Sequence, residues 1–129
     1  QRAISERVWM KSGAYLIIQP TEALTVIDVN SGKNTSGKNA EEYYYKINLE
    51  AAAEISRQLR LRNISGIVIV DFINMAKEEQ RKELMHQFRL SLKEDPVPVR
   101  LVDITKLGLV ELTRKKERKT LLEQVAQLR

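Results

Sequence analysis

The sequence predicts a mixed α/β (α+β) domain, a mixed sheet flanked by helices. Three observations predict it. Apolar stretches of strand length occur within 15–29, 67–72 and 99–112. Two longer stretches carry apolar residues at helical spacing. The two kinds alternate along the chain, the arrangement that builds a sheet covered by helices. The chain has 129 residues, few glycines or prolines and no internal repeat, so it reads as a single domain over 1–129.

The elements follow in order. Tyr15 to Gln19 reads as a strand, Pro20-Thr21-Glu22 as a turn, and Ala23 to Val29 as the partner strand of a hairpin. Strand alternation sends Thr25, Ile27 and Val29 to one face and Val26, Asp28 and Asn30 to the other. A polar, glycine-containing loop from Ser31 to Lys38 leads to a long helix, with Asn39 as N-cap and Glu42 completing a near capping box. Its stripe is Tyr44, Ile47, Ala51, Ile55 and Leu59, and Asn63 and Gly66 mark its end. Ile67 to Phe72 is apolar on both faces, the pattern of a central strand covered on two sides. A second helix is expected from about Met75 to Lys93, capped by Asn74, with Leu84, Phe88 and Leu92 inward. Val99 to Ile104 and Leu109 to Leu112 read as strands. Arg114 to Arg129 reads as a terminal helix, peripheral to the domain.

Composition narrows the chemistry. There is no cysteine and one histidine, His86. That excludes disulfides, thiolate zinc sites, cysteine nucleophiles and multi-histidine metal sites, and it fits a reducing compartment. Any catalysis must run on oxygens, which favour Mg²⁺ or Mn²⁺ over zinc or copper. No apolar run approaches the roughly 20 residues of a membrane helix, and Gln1 to Arg7 lacks the apolar core of a signal peptide. The net charge of +5 suits a polyanionic partner.

One feature carries chemistry: an aspartate near the end of each of two apolar strands, in Val26-Ile27-Asp28-Val29-Asn30 and Val68-Ile69-Val70-Asp71-Phe72. A carboxylate there is costly to desolvate unless it is paired or bound to a cation. If the strands are neighbours, Asp28 and Asp71 converge on one ion, and the Asn30 amide is placed to orient a ligand. Capping of the following turn or helix is the plainer alternative. Asp103 reads as a surface or edge residue, His86 as solvated or packed. Tyr43-Tyr44-Tyr45 could stack bases, but three consecutive helical residues diverge, so at least one belongs to the core. Lys33, Lys38, the Arg57/Arg60/Arg62 set and Arg114-Lys115-Lys116 with Arg118-Lys119 are candidate phosphate contacts or ordinary solvated faces.

Five stretches together resemble the RNase E/G family. They are Thr21 to Gly32 (TEALTVIDVNSG), Asn48 to Ile55 (NLEAAAEI), Arg57 to Ile64 (RQLRLRNI), Ile69 to Ile73 (IVDFI) and Leu107 to Arg114 (LGLVELTR). The resemblance covers nearly the whole chain in order. It implies a DNase I-like catalytic subdomain of an endoribonuclease that cuts single-stranded RNA and leaves a 5′-phosphate. It assigns Asp28 and Asp71 as Mg²⁺ ligands, with Mn²⁺ as an alternative, and Asn30 as their catalytic support. It implies a cytoplasmic setting and a homo-oligomeric full-length enzyme, while the basic runs themselves offer Lys33, Lys38, Arg60, Arg114 and Lys115 as RNA contacts. Two departures stand out. Many relatives carry aspartate where this chain has Asn74, and the family's paired-cysteine zinc link and its preceding RNA-gripping portions have no counterpart here. The chain therefore resembles an excised domain. The competing reading is a non-catalytic fragment for RNA binding or oligomerisation.

Overall fold

A computed structural model describes residues 5–33, 37–105 and 107–116. The described elements are β1 (Glu6–Trp9), β2 (Tyr15–Pro20), β3 (Thr25–Asn30), α1 (Lys38–Leu61), β4 (Gly66–Asp71), α2 (Glu78–Leu92), β5 (Val99–Ile104) and β6 (Leu109–Arg114). The strands form one mixed six-stranded sheet in the order β1-β2-β3-β4-β6-β5. β3 and β4 are parallel and joined through α1; the other pairings are antiparallel. This is the expected mixed α+β architecture.

Alternation decides which face of the sheet is covered. Leu16, Ile18, Ile27, Val29, Val68, Val70, Val110 and Leu112 turn to the side where α1 and α2 pack against each other and are buried. Most of the expected stripes meet them there, Ile47, Ala51, Ile55 and Leu59 from α1 and Leu84, Phe88 and Leu92 from α2, whereas Tyr44, expected at the head of the α1 stripe, is not part of this core. Phe72 and Phe88 pack edge to face, with ring centroids 5.6 Å apart. Tyr43 and Tyr45 lie half-buried against this core. His86 and Asp103 are exposed, Asp103 on the edge strand β5.

Several expectations need correction. Among the described residues β4 is central but covered by helices on one face only. Ile67 is 41% exposed and Ile69 half-buried, because both helices pack on the opposite face. β1 was not expected: its four residues carry too little apolar alternation to announce a strand, and it exists by pairing with β2. Asn39 does not cap α1. The helix starts at Lys38 behind Gly37, whose φ of 95° turns the chain without a side-chain cap. Asn74 does not cap α2, which begins later than expected, behind Lys77. In the segment before it the Met75 and Ala76 carbonyls accept from Arg81 Nη1 at 2.7 and 2.9 Å. The end of α1 is as expected. Asn63 takes a φ of 50°, and Asn63 and Ile64 donate back to the Arg60 and Leu59 carbonyls, the pattern of a Schellman stop. Arg114 belongs to β6 rather than to a helix; residues 117–129 of the expected terminal helix lie outside the described residues.

Gly108 shows how closely the end of β4 is held. Its φ is +88°, a Cβ there would stand 2.7 Å from the Phe72 carbonyl oxygen, and its own carbonyl accepts the Phe72 N–H at 3.1 Å. Gly108→Ala should therefore lower stability by about 2 kcal/mol or more, combining positive-φ strain with a backbone clash. The denaturant midpoint reads the effect; a wild-type midpoint would remove Gly108 as a fixed point of the loop beside Asp71.

Candidate metal centre

The two aspartates come together by register. Asp28 in β3 stands opposite Asp71 in β4. Parallel strands in register aim such a pair at the same face, here the open one. Asp71 is the last residue of β4, and Asp28 lies two residues before the end of β3. The site thus sits at the carboxyl ends of parallel strands, where open α/β sheets place their ligands. Both residues are partly accessible.

The carboxyls touch. Burial, a hydrogen bond to Asp71 and the charge of Asp71, in that order, hold the Asp28 carboxyl above its usual 3.8. Two neighbouring carboxylates repel when both are ionised, and a divalent cation between them relieves that repulsion. Among the described residues no group of three or more His, Cys, Asp or Glu side chains gathers as a metal cage. Two carboxylates and open solvent suit Mg²⁺, which is commonly held by one or two carboxylates with the rest of its shell left to water and phosphate. Asn30 shares their face, one position beyond Asp28 on that side and opposite Tyr15. The capping alternative does not describe this geometry: α1 begins behind Gly37 and α2 behind Lys77 without a side-chain cap.

The basic candidates separate into two groups. Lys33 is exposed in the loop leaving β3 and lines an open cleft with Asn30. Lys38 begins α1, but its side chain lies outside the described residues. Arg114 does not serve as expected. It is 3% exposed, and its guanidinium is engaged by Asp95, Asn63 and the Ile64 carbonyl. It pairs with Gly66 at the start of β4, five residues from Asp71 and about 16 Å along the strand. Lys115 follows it at that far end, exposed, with its backbone N–H on the Pro98 carbonyl. Arg60 turns inward to the same region: its charge acts on Asp95, and its Nη1 is buried without a partner among the described residues.

One positioning residue escaped sequence reasoning. Asn48, fully buried in α1, donates from Nδ2 to the Ile73 carbonyl at 2.8 Å and accepts the Ile73 N–H on Oδ1 at 3.0 Å. This two-bond clamp holds the segment immediately after Asp71. A buried asparagine on an apolar helix face was the available signal. Asn48→Leu should destabilise by about 2 kcal/mol or more, since both Ile73 backbone groups lose their partner, and should reduce activity in the protein that still folds. Stability within 0.5 kcal/mol of wild type, the size of an ordinary surface change, would show that water replaces the clamp.

These features define a mixed α+β domain with a paired-carboxylate site at its strand ends. The chain belongs to the Ribonuclease E/G family, whose sequence profile matches residues 1–117. It is 47% identical over 127 residues to a Ribonuclease E from Synechocystis sp., covering 98% of this chain and 19% of the relative. It is 47% identical over 123 residues to a Ribonuclease E from Nostoc sp., covering 95% and 18%. It is 43% identical over 121 residues to a Ribonuclease G from Escherichia coli, covering 94% and 25%. The chain thus spans about a fifth to a quarter of these relatives.

Proposed function

We propose that this chain is the metal-binding part of an endoribonuclease that hydrolyses single-stranded RNA in RNA processing and decay. The observation that carries the reading is the in-register Asp28–Asp71 pair, found in a chain of the Ribonuclease E/G family. In this reading Asp28 and Asp71 hold Mg²⁺. The ion would supply charge neutralisation on the phosphate and activation of a water. Asn30 orients the water or a phosphate oxygen on the same face, and Lys33 neutralises an adjacent phosphate. Leaving a 5′-phosphate requires water to attack phosphorus in line with O3′, so that the P–O3′ bond breaks and O3′ departs as the hydroxyl. A flexible single strand can present that bond to a site recessed at strand ends. Among the described residues no helix is long and apolar enough to cross a membrane. The proposed setting is the cytoplasm, with the full-length enzyme acting as a homo-oligomer.

The test is cleavage of a 5′-labelled single-stranded RNA with and without Mg²⁺, with the product ends identified. Products with 5′-phosphates that form only with the metal support the reading; cleavage indifferent to a chelator removes it. Metal binding has its own signature. At about ten times the dissociation constant, Mg²⁺ or Mn²⁺ should add roughly 1.4 kcal/mol and raise Tm by about 3–6 °C. The rise should grow with pH, because protons compete with the ion for the carboxylates. An equal rise in an Asp28→Asn/Asp71→Asn double variant would place the ion elsewhere.

A further inference from the structure

The open face of the sheet carries a feature that the metal site does not use. Alternation along β1 packs Val8 against the core and sends Arg7 and Trp9 to the face that holds Asp28 and Asp71. Trp9 stands opposite Tyr15, and Tyr15 opposite Asn30. The Trp9 and Tyr15 ring centroids are 4.9 Å apart. The Arg7 guanidinium lies over both rings, 4.3 Å from the Tyr15 centroid and 5.5 Å from that of Trp9. Trp9 is nevertheless 61% exposed. Beside it an open cleft of about 380 Å³ is lined by Trp9, Tyr15, Asn30, Gly32 and Lys33 among others. By strand spacing Trp9 is roughly 12 Å from Asp28, two strands across and two residues along.

We infer that Trp9, buttressed by Tyr15 and Arg7, is a stacking platform for an unpaired RNA base next to the phosphate held at Asp28 and Asp71. The inference rests on the proposed function for the identity of the strand. A tryptophan is the largest apolar surface a side chain offers, and leaving it uncovered on a sheet face calls for an occupant. The surroundings select which one. An apolar protein partner would have to bury the Arg7 and Lys33 charges, whereas a nucleotide presents a flat ring to Trp9 and a phosphate to the two cations. Stacking on an aromatic ring with a cation alongside is the means by which single strands are held without base-specific contacts. The cleft runs from this platform to Asn30, which lies two residues along β3 from Asp28 on the same face. The edge position of β1 leaves the outer side open for the strand to pass.

The chain contains a single tryptophan, so its fluorescence reports on the platform alone. Titrating the protein with a short oligoadenylate in the absence of divalent metal, where cleavage does not intervene, should quench it. The same RNA as a duplex should quench it weakly. Trp9→Ala should weaken binding of the oligoadenylate, followed by a fluorescent label on the RNA, roughly tenfold, whereas Trp9→Phe should retain most of it. Trp9→Phe should melt like the wild type, and Trp9→Ala, which gives up the cross-strand contact with Tyr15, should melt slightly lower but remain folded. Quenching by inorganic polyphosphate as strong as that by RNA would overturn the inference, since polyphosphate has charge but no base. So would Trp9→Ala binding at wild-type strength. Cleavage without quenching rejects the platform and leaves the ribonuclease reading standing; quenching without cleavage supports the platform and rejects that reading.

Discussion

Asp71→Asn and Asp28→Asn are each expected to lower Mg²⁺-dependent RNA cleavage by about 10³-fold or more. Metal assistance supplies several kcal/mol of transition-state stabilisation, and each 1.36 kcal/mol is a factor of ten. Asparagine keeps the shape of aspartate but removes a charge, so the strand pairing survives. The two effects should separate cleanly. In the absence of divalent metal either variant should melt at or above the wild-type temperature, because asparagine carries no charge into a site where burial, and then Asp71, disfavours the ionised Asp28 carboxyl. A lost activity accompanied by a raised apo Tm is hard to obtain from a merely structural aspartate, whose loss would lower both. Activity within tenfold of wild type in both variants would sink the metal-centre reading. The measurement is single-turnover cleavage at saturating Mg²⁺, alongside thermal melts in chelator.

The carboxylate pair was legible for a particular reason. Strand periodicity fixes which residues share a face, so Asp28 and Asn30 were placed on one side of β3 from sequence alone. An acidic residue late in each of two apolar strands then makes a pair whenever the strands are adjacent and parallel. Adjacency is a tertiary fact, supplied here by the α1 crossover. The stripes of both helices were legible on the same grounds. The helix starts were not. Capping rules weigh the side chain nearest the boundary, whereas α1 starts behind Gly37 and α2 behind Lys77, neither with a side-chain cap. The two-sided apolar pattern of β4 was also ambiguous: it marks either a second covering layer or an open face. The relatives are about four to five times longer than this chain.

The basic residues were the least legible part, because charge does not reveal direction. Arg60, Arg114 and Lys115 stood beside Lys33 as candidate phosphate contacts, yet Arg114 and Lys115 lie at the opposite end of β4 from Asp71. β4 carries Asp71 at one end and Gly66 at the other, and Gly66 pairs with Arg114. A residue after β6 is therefore as far from the carboxylates as the strand allows. The sign of the neighbours then decides use: Lys33 faces solvent beside Asn30, while Arg114 faces Asp95. That pair sets up the second large effect.

Asp95→Asn is expected to destabilise the fold by about 3–5 kcal/mol, the scale on which an opened buried ion pair costs. That is a large fraction of the roughly 5–15 kcal/mol that holds a domain together. Asp95 receives Arg114 Nε on Oδ2 at 2.8 Å and Arg114 Nη2 on Oδ1 at 3.1 Å, with the Val97 N–H on the same Oδ1 at 2.9 Å. Arg114 continues from Nη1 to Asn63 Oδ1 and the Ile64 carbonyl, each at 3.0 Å. The cluster thereby ties the end of α1, the α2–β5 loop and the end of β6 to one point. Burial alone would raise the Asp95 pKa, but the Arg114 hydrogen bonds, the Val97 N–H and the charges of Arg114 and Arg60 outweigh it and hold the carboxyl below its usual 3.8. The sign follows. A lowered folded-state pKa means the unfolded chain binds the proton more readily. This contribution to stability is therefore complete above pH 3.8 and disappears as pH falls through the lower folded value. Arg114→Met should cost less than Asp95→Asn. Removing the acid strands two cations, Arg114 and the inward-turned Arg60, whereas removing Arg114 leaves Asp95 still facing Arg60. Urea melts of the two single variants and the double variant, across the acid range, measure the coupling. An Asp95→Asn protein within 1 kcal/mol of wild type, or one less affected than Arg114→Met, would show that water screens the cluster and that Arg60 does not share in it.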